Sequence, residues 1–331
     1  MRRAVLCVVL LVGLAAAGWV GLPTAAQPGT TAPADADDPA LTPQRPLFGN
    51  PDAQAARWVQ QHPDDPRAAT LAPLTEQPVA RWFTGPVDEV RDDVADVVDA
   101  AAAAGATPVL VAYAIPDRDC GQFSAGGAAD AATYRAWIDA FARSIGPRKA
   151  VVVLEPDALV HTGCLDDAGL RDREELLAGA IATLAALAPQ AEVYLDGSAA
   201  NWSIDPAALV DRLLAVGVEH VRGLALGVSS YTPTATAVEF GRAAAADLAG
   251  RTGQQLGLVV DTSRNGVGTT DWCNPADQRL GQAPTTDPGL GPDVDALLWI
   301  KPPGESDGDC GTGPGTVAGQ FDPGLAAALV G

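Results

Sequence analysis

The chain has 331 residues, of which 47% are hydrophobic, and its 41 Asp and Glu against 21 Lys and Arg give a formal net charge of -20. This length and apolar content allow one large core or two smaller ones. The negative charge disfavours nucleic-acid phosphates and anionic membranes as partners, so a neutral substrate fits better.

The first 26 residues have the pattern of a secretory signal peptide. Arg2 and Arg3 precede an apolar run over residues 4–17, and the small residues 24–26 offer a cleavage site. If the run is extended through Leu22, it approaches the roughly 20 residues that span a bilayer, so an uncleaved membrane anchor is the alternative. In both cases the rest of the chain is exported, and we expect secretion with no membrane contact after cleavage.

Residues 27–46 are rich in Pro, Ala, Thr and Asp and show no hydrophobic period. Such a segment buries too little apolar surface to fold, which predicts a disordered linker. We therefore expect a single catalytic domain over residues 47–331.

Strands and Ala-rich helices alternate along this domain. The predicted helices cover residues 87–105, 132–146, 170–188, 206–217 and 236–250, and the predicted strands cover residues 79–83, 108–113, 151–155, 192–196, 223–228, 256–261 and 296–301. Repeated βα units predict an α/β fold with a parallel sheet, either closed as a seven-stranded barrel or open and doubly wound. The sequence has neither a G-x-G-x-x-G motif after the first strand nor a P-loop motif, so we expect no cofactor.

Polar and aromatic residues recur where the predicted strands end. In α/β barrels, the loops after the strands build the active site. We therefore expect one cleft formed by Trp82, Tyr113, Asp117, Arg118, Asp119, Glu155, Asp157, Asp196, Ser229, Ser230, Tyr231, Asp261, Arg264, Lys301, Glu305 and Asp307.

Carboxylates crowded in a cleft raise one another's pKa, which can keep one of them protonated as an acid near neutral pH. The aromatic residues Trp82, Tyr113, Trp202 and Trp272 offer flat faces on which sugar rings stack. Acids, aromatic residues and export together point to glycoside hydrolysis, which needs two carboxyl groups. A Ca²⁺ or Mg²⁺ site is the less favoured alternative, and we expect no metal.

Five cysteines are present, and Cys7 lies in the signal segment. The other four allow three pairings, and their grouping favours Cys120–Cys164 and Cys273–Cys310 in an oxidising compartment. A zinc site is disfavoured because the chain has no C-x-x-C spacing and only three His.

Five motifs identify a family resemblance. These are "YAIPDRDCGQFSAGG" from Tyr113, "VVVLEPDAL" from Val151, "VVDTSRNG" from Val259, "DWCNP" from Asp271 and "WIKPPGESDG" from Trp299. In order and spacing they closely resemble the glycoside hydrolase family 6 cellulases, from about Arg81 to the end of the chain. The resemblance implies a distorted seven-stranded β/α (TIM-like) barrel that hydrolyses β-1,4-glucan with inversion.

The resemblance also implies roles for four acids. Asp157 matches the general acid, and Asp119 matches the carboxylate that raises the pKa of that acid and helps to relay a proton from the attacking water. Asp307 matches the residue proposed as base, an assignment contested within the family. Asp196 matches an acid that binds substrate and balances the charge of the site.

Other matched positions bind sugar. Tyr113 matches the tyrosine that presses on the distorted ring, and Ser124 lies in the loop that closes over it. Trp82, Trp272, Lys301 and Glu305 match sugar-binding positions, and the family's two disulfides match the pairing favoured above.

Two positions depart from the family pattern. In "DGSAANW", Asp196 and Trp202 keep their spacing, but Ala199 stands where a His is expected. In "ALGVSSY", Gly227 stands where an Asn is expected. Two sugar-binding hydrogen bonds are missing, each worth about 1 kcal/mol, so we expect weaker binding with the chemistry retained.

Several residues have structural explanations instead. We expect Glu155 to anchor a strand end, and Trp58 and Trp137 to pack in the core. His62, His161 and His220 lie outside the motifs and are expected at the surface or in structural positions. Asp261 and Arg264 either touch substrate or form a salt bridge between loops.

The sequence thus predicts a secreted, monomeric endo-β-1,4-glucanase with an open cleft, because the loops around the cleft are short. The alternatives are a cellobiohydrolase that works from chain ends and a non-catalytic glucan-binding protein. No carbohydrate-binding module is recognised in the sequence.

Overall fold

The computed structural model describes residues 39–198 and 204–331. The predicted signal peptide and most of the predicted linker lie outside these residues. Within them, no helix has the length and apolar content needed to cross a membrane.

Seven strands form one parallel sheet in which the spatial order follows the sequence order. They are β1 (Arg81–Phe83), β2 (Val109–Ala112), β3 (Ala150–Leu154), β4 (Ala191–Asp196), β5 (Gly223–Leu226), β6 (Gly257–Asp261) and β7 (Val294–Leu298). The sheet curls until its two edges approach each other. There the backbone N–H of Ala80 donates to the carbonyl of Trp299 at 2.9 Å, and the indole of Trp82 donates to that of Ile300 at 2.7 Å. The predicted distorted barrel is confirmed as a curled half-barrel.

Helices cover the outer face of the sheet and its ends. They are α1 (Gln54–Gln61), α2 (Pro66–Leu71), α3 (Val87–Ala103), α4 (Ala131–Ile145), α5 (Asp167–Leu187), α6 (Pro206–Val216), α7 (Thr234–Thr252) and α8 (Pro323–Val330), with a 3-10 helix over Ala72–Glu76. The five predicted helices correspond to α3–α7. In α3, Val90, Val94 and Val98 are buried at the expected helical spacing.

Alternate strand residues build two cores, because successive side chains of a strand point to opposite faces. Val111, Val153 and Val259 belong to the core inside the barrel, and all three are fully buried. Leu110, Val152 and other neighbours point outward and pack against the helices, where Trp137 is 2% exposed. Because both faces are buried, the strands read as continuous apolar runs.

A segment before the first helix closes the amino-terminal end of the barrel. Leu41 and Leu47 pack against the inner core. The backbone N–H groups of Ala40 and Leu41 donate to the Glu192 carboxylate at 3.2 and 3.4 Å. The contacts of Ala40 and Leu41 lie within the stretch that the sequence assigns to the linker.

Candidate active site

A cleft of about 770 Å³ opens at the carboxyl ends of the strands. Twelve of the predicted site residues line it: Trp82, Tyr113, Arg118, Asp119, Ser124, Asp157, Ser229, Ser230, Trp272, Lys301, Glu305 and Asp307. Asp196 is 4% exposed and lies against the backbone of Asp157. Trp202 and Ala199 lie outside the described residues.

Asp157 follows β3 in a strained turn. Glu155 and Asp157 both have positive φ angles, 47° and 70°, in a region that non-glycine residues rarely occupy. Burial raises the pKa of Asp157 to about 7, with further contributions from the charges of Asp196 and then Asp119. The phenol of Tyr113 donates to Asp157 Oδ2 at 3.3 Å. Asp157 is therefore a carboxyl group that can hold a proton near neutral pH.

Asp196 acts on Asp157 in two ways. Its Oδ2 accepts the backbone N–H of Asp157 at 2.8 Å, and its Oδ1 accepts that of Ser198 at 2.9 Å. Burial raises the pKa of Asp196 to about 6, against the lowering effect of these two hydrogen bonds. The residue both fixes the turn that carries Asp157 and places a negative charge beside it.

Two further acids hold strand ends together. Glu155 is fully buried and accepts the N–H groups of Ala114 and Ile115 at 2.9 and 3.0 Å, so it fastens β3 to the loop after β2, as predicted. Burial raises its pKa to about 7. Asp261 likewise accepts N–H groups from the loops after β5, β6 and β7, those of Ser229, Ser263, Ile300 and Lys301.

The loop after β2 carries Asp119 and Ser124. The backbone N–H of Ser124 donates to Asp119 Oδ2 at 2.7 Å. Arg118 donates to the carbonyls of Ser124 and Tyr113 at 2.8 and 2.6 Å, which ties the loop to the strand end. Gly127 has a φ of 95°, and a Cβ there would lie 2.0 Å from the carbonyl oxygen of Ile115, so only glycine allows this loop to return so closely.

His161 also lies in this region, next to Asp119. Its Nδ1 is 3.5 Å from Asp119 Oδ1. The sequence pattern predicts His161 at the surface or in a structural position and does not predict its contact with the site. Its position four residues after Asp157, about one helical turn along the chain, could have indicated this contact. His62 and His220 are exposed, as expected.

Both favoured disulfides are present. Cys120–Cys164 joins the loop of Asp119 to the loop of Asp157, with a Cα–Cα distance of 5.4 Å. Cys273–Cys310 joins the loops after β6 and β7, with a Cα–Cα distance of 5.9 Å. Each bridge therefore fixes two loops that contribute side chains to the cleft.

Asp307 is held by donors and cations. Its Oδ2 accepts from Arg264 at 2.9 Å and from the backbone N–H of Asn274 at 3.0 Å, and its Oδ1 is 3.9 Å from the Lys301 ammonium group. Burial by itself would raise the pKa of Asp307, but Arg264 and Lys301 outweigh it and hold the pKa below its usual range. Arg264 thus forms a salt bridge between loops, and its carboxylate partner is Asp307.

Glu305 and Lys301 lie on the β1 side of the cleft. Gln54 of α1 donates to Glu305 Oε1 at 2.6 Å. Burial raises the pKa of Glu305 to about 7, although Lys301 and Gln54 act in the opposite direction. Burial also lowers the pKa of Lys301. Gln54 was not identified from the sequence, because it lies far from every motif in the chain.

Aromatic side chains stand at two places in the cleft. The rings of Trp82 and Tyr113 meet edge to face, with centroids 5.2 Å apart. The rings of Trp272 and Phe123 have centroids 6.0 Å apart and are 46% and 48% exposed. Phe123 was not predicted as a site residue, and its signal was an aromatic residue between Asp119 and Ser124. Exposed aromatic faces of this kind suit the stacking of sugar rings.

Gly227 retains the backbone shape that an asparagine would take. Its φ is 66°, which Asn tolerates better than most residues. A Cβ at this position would meet only Ser230 Oγ within 4 Å, at 3.5 Å. The position can therefore accept an asparagine, whose side-chain amide is absent in this chain.

The described residues contain no group of three or more His, Cys, Asp or Glu side chains arranged to hold a metal ion. The cleft instead combines a carboxyl group that can be protonated near pH 7, ionised carboxylates and exposed rings. Such a set can protonate a leaving oxygen and bind an uncharged sugar polymer.

The comparisons with known proteins agree with this chemistry. The sequence model of the glycosyl hydrolases family 6 matches residues 43–330. Endoglucanase 1 of Streptomyces halstedii is 41% identical over 301 residues, which cover 90% of this chain and 92% of the relative. Endoglucanase 1 of Streptomyces sp. (strain KSM-9) is 42% identical over 280 residues, covering 83% and 75%.

A solved structure is similar over nearly the same span. It is the endoglucanase Cel6 from Mycobacterium tuberculosis in complex with methyl-cellobiosyl-4-deoxy-4-thio-β-D-cellobioside. It has a TM-score of 0.79 and 38% sequence identity, and the match covers 86% of this chain and 96% of that one.

Proposed function

The chain belongs to glycosyl hydrolase family 6, and from this premise we propose that it is a secreted, inverting endo-β-1,4-glucanase that hydrolyses cellulose and soluble β-1,4-glucans. The observation that carries the proposal is the carboxyl group of Asp157, which lines the cleft with its pKa raised to about 7. An endoglucanase needs such an acid to protonate the leaving glycosidic oxygen.

Asp157 acts as the general acid. Its strained turn, fixed by Asp196, directs the carboxyl group into the cleft, where Tyr113 donates to one oxygen. Burial and the charge of Asp157 raise the pKa of Tyr113 far above its usual value, so the phenol keeps its proton and remains a donor. The proton on Asp157 passes to the leaving oxygen as the glycosidic bond breaks.

Asp119 receives the proton that the attacking water loses. Inversion requires the water to attack from the face opposite the leaving group. Asp307 is a poor candidate for the base, because Arg264, Lys301 and Asn274 occupy its oxygens and lower its basicity. We propose that Asp307 instead holds Arg264, Lys301 and the loops after β6 and β7 in place.

The glucan lies along the cleft. Trp82 and Trp272 stack against sugar rings, Lys301 and Glu305 bind hydroxyl groups, and Ser124 lies in the loop over the cleaved ring. Trp202 belongs to the same set by its spacing from Asp196. A second cavity of about 630 Å³ shares Thr270 and Trp272 with the cleft, so the surface available to a glucan continues past Trp272.

Export and a monomeric state complete the proposal. Two disulfides suit an oxidising compartment. We propose that residues 1–26 are a signal peptide. Because Ala40 and Leu41 contact the barrel, we also propose that the linker ends near residue 39 and that the catalytic domain runs from there to residue 331.

Hydrolysis of cellohexaose with detection of the product anomer tests the activity and its stereochemistry together. The wild type is expected to release α-anomers. Asp157→Ala should lower kcat by about 10²- to 10⁴-fold with glucan binding intact, because it removes the general acid. Asp172→Ala, on the exposed face of α5, is the matched control. Binding without cleavage by the wild type would identify a glucan-binding protein instead.

Viscosity tests the endo mode. Internal cleavage of carboxymethylcellulose lowers the viscosity quickly while few reducing ends appear. Release of cellobiose without loss of viscosity would point to action from chain ends.

A further inference from the structure

We propose that His161 is a positioning residue for the hydrolytic reaction, acting through Asp119. Its imidazole N–H fixes one oxygen of the Asp119 carboxylate so that the other lone pairs face the attacking water. The proposal rests on the function proposed above and assigns a role that the family motifs do not contain.

His161 is attached to both halves of the catalytic machinery. Its backbone N–H donates to the carbonyl of Asp157 at 2.7 Å, which places it in the turn of the general acid. Its side chain reaches the other loop, with Nδ1 3.5 Å from Asp119 Oδ1. The side chains of His161 and Asp119 are only 15% and 17% exposed. The pair is therefore largely shielded from water, and shielding strengthens the electrostatic interaction between an imidazole and a carboxylate.

The neighbours of the ring select its tautomer. The Nε2 atom of His161 is 3.2 Å from the amide nitrogen of Gln122, and an amide nitrogen can only donate. With Nε2 as the acceptor from Gln122, the neutral ring carries its proton on Nδ1, on the side of Asp119. This arrangement places the imidazole N–H beside the Asp119 carboxylate, with Nδ1 3.5 Å from Oδ1.

The Asp119 carboxylate is thereby held from two sides. Ser124 donates its backbone N–H to Oδ2 at 2.7 Å, and the imidazole faces Oδ1. Asp119 has a positive φ of 55°, a conformation that a non-glycine residue keeps only where surrounding contacts hold it. With a backbone donor on one oxygen and the imidazole against the other, rotation of the carboxylate is restricted.

Backbone anchors hold the loop independently of the imidazole. The Cys120–Cys164 disulfide joins the two loops on either side of the contact. Arg173 of α5 donates to the carbonyls of Pro116 and Asp117 at 2.9 and 3.0 Å, and lies 3.5 Å from that of His161. Asp119 thus lies at the ring of His161, Arg173 lies at its backbone carbonyl, and Arg212 donates to the preceding carbonyls of Leu159 and Val160. Replacement of the ring should alter the Asp119 carboxylate more than it alters the fold.

Three variants separate the donor from the bulk of the ring. Asn carries an amide nitrogen near the position of Nδ1, Gln carries it near Nε2, and Ala carries none. We expect His161→Ala and His161→Gln to lower kcat on cellohexaose about tenfold with KM within about twofold, and His161→Asn to restore most of kcat. The exposed His220→Asn is the matched control.

The split between kcat and KM gives a second readout. Loss of positioning at Asp119 should lower kcat with little change in KM, whereas a general loosening of the site should alter both. A melting temperature for each variant shows whether it is folded.

The outcomes are distinct. If the wild type is active, two results would overturn the role of His161. One is an unchanged kcat in His161→Ala, and the other is a folded His161→Asn whose kcat is as low as that of His161→Ala. An inactive wild type would overturn the proposed function itself.

Discussion

Substitution of Asp196 by Asn tests what keeps Asp157 protonated. Asp196 accepts the backbone N–H of Asp157 at 2.8 Å, so the two carboxyl groups lie within roughly 7 Å of each other. At an effective dielectric constant of about 20, two unit charges about 7 Å apart interact by about 2.4 kcal/mol, or roughly 1.7 pKa units. Asp196→Asn removes this repulsion, which favours the ionised form of Asp157 and lowers its pKa from about 7.

The alkaline limb of kcat/KM reports this change, because it marks the loss of the proton from the acid in the free enzyme. In Asp196→Asn, we expect this limb to move by about one to two pH units toward acid. Asp119→Asn should move it less, since Asp119 contributes less than Asp196 to the raised pKa of Asp157. Both profiles are measured on a soluble cello-oligosaccharide.

The same substitution also has a second effect, which is on stability. The amide introduced by Asp196→Asn offers one carbonyl oxygen to two N–H donors, those of Asp157 and Ser198. One donor is therefore left unpaired, at a cost of about 1–3 kcal/mol in the free energy of unfolding. This lowers the melting temperature without moving the pH limb. The electrostatic reasoning would be refuted if the alkaline limb of kcat/KM stayed in place in folded Asp196→Asn, or if it moved further in Asp119→Asn than in Asp196→Asn.

Two other predictions concern affinity and stability. Gly227→Asn introduces an amide at a position whose φ and free space accept it. The variant should lower KM for cellohexaose by up to about tenfold, with the melting temperature nearly unchanged. A higher KM would contradict this prediction. The two disulfides close loops with sequence separations of 44 and 37, so in the chain-entropy model each stabilises the fold by up to about 4 kcal/mol. The double variant Cys120→Ser/Cys164→Ser should also lower kcat, since that bridge joins the loops of Asp119 and Asp157. If the double variant and the wild type had equal kcat values, the disulfide would not be needed to position these two loops for catalysis.

The fold could be predicted from local patterns. Continuous apolar runs such as that of β3 mark strands buried on both faces, and the helical spacing of Val90, Val94 and Val98 marks the covered face of α3. Since parallel strands place their carboxyl ends at one edge, the position of the cleft followed from the strand ends. The terminal helix α8 was missed because its residues, Pro323–Val330, form a short apolar run without a clear period.

Contacts between distant loops could not be predicted in the same way. The salt bridge of Arg264 with Asp307 joins residues 43 positions apart, and depends on how the loops after β6 and β7 fold back. The pairing of His161 with Asp119 spans 42 residues and needs the disulfide and Arg173 to bring the loops together. Side-chain geometry of this kind is set by tertiary packing, which no single segment encodes.

The strand-end acids have a consequence for the reacting sugar. Glu155, Asp196 and Asp261 each accept at least two backbone N–H groups, whose partial charges offset a carboxylate less than a full cation would. When ionised, they add negative potential at the strand ends, which favours the positive charge that develops on the sugar in an oxocarbenium-like transition state. The pKa values of Glu155 and Asp196, about 7 and about 6, place this ionisation in the pH range in which Asp157 loses its proton. As the pH rises through this range, ionisation of these acids strengthens the negative potential, while fewer molecules keep Asp157 protonated. The acids that join the loops therefore affect the rate in two opposite ways.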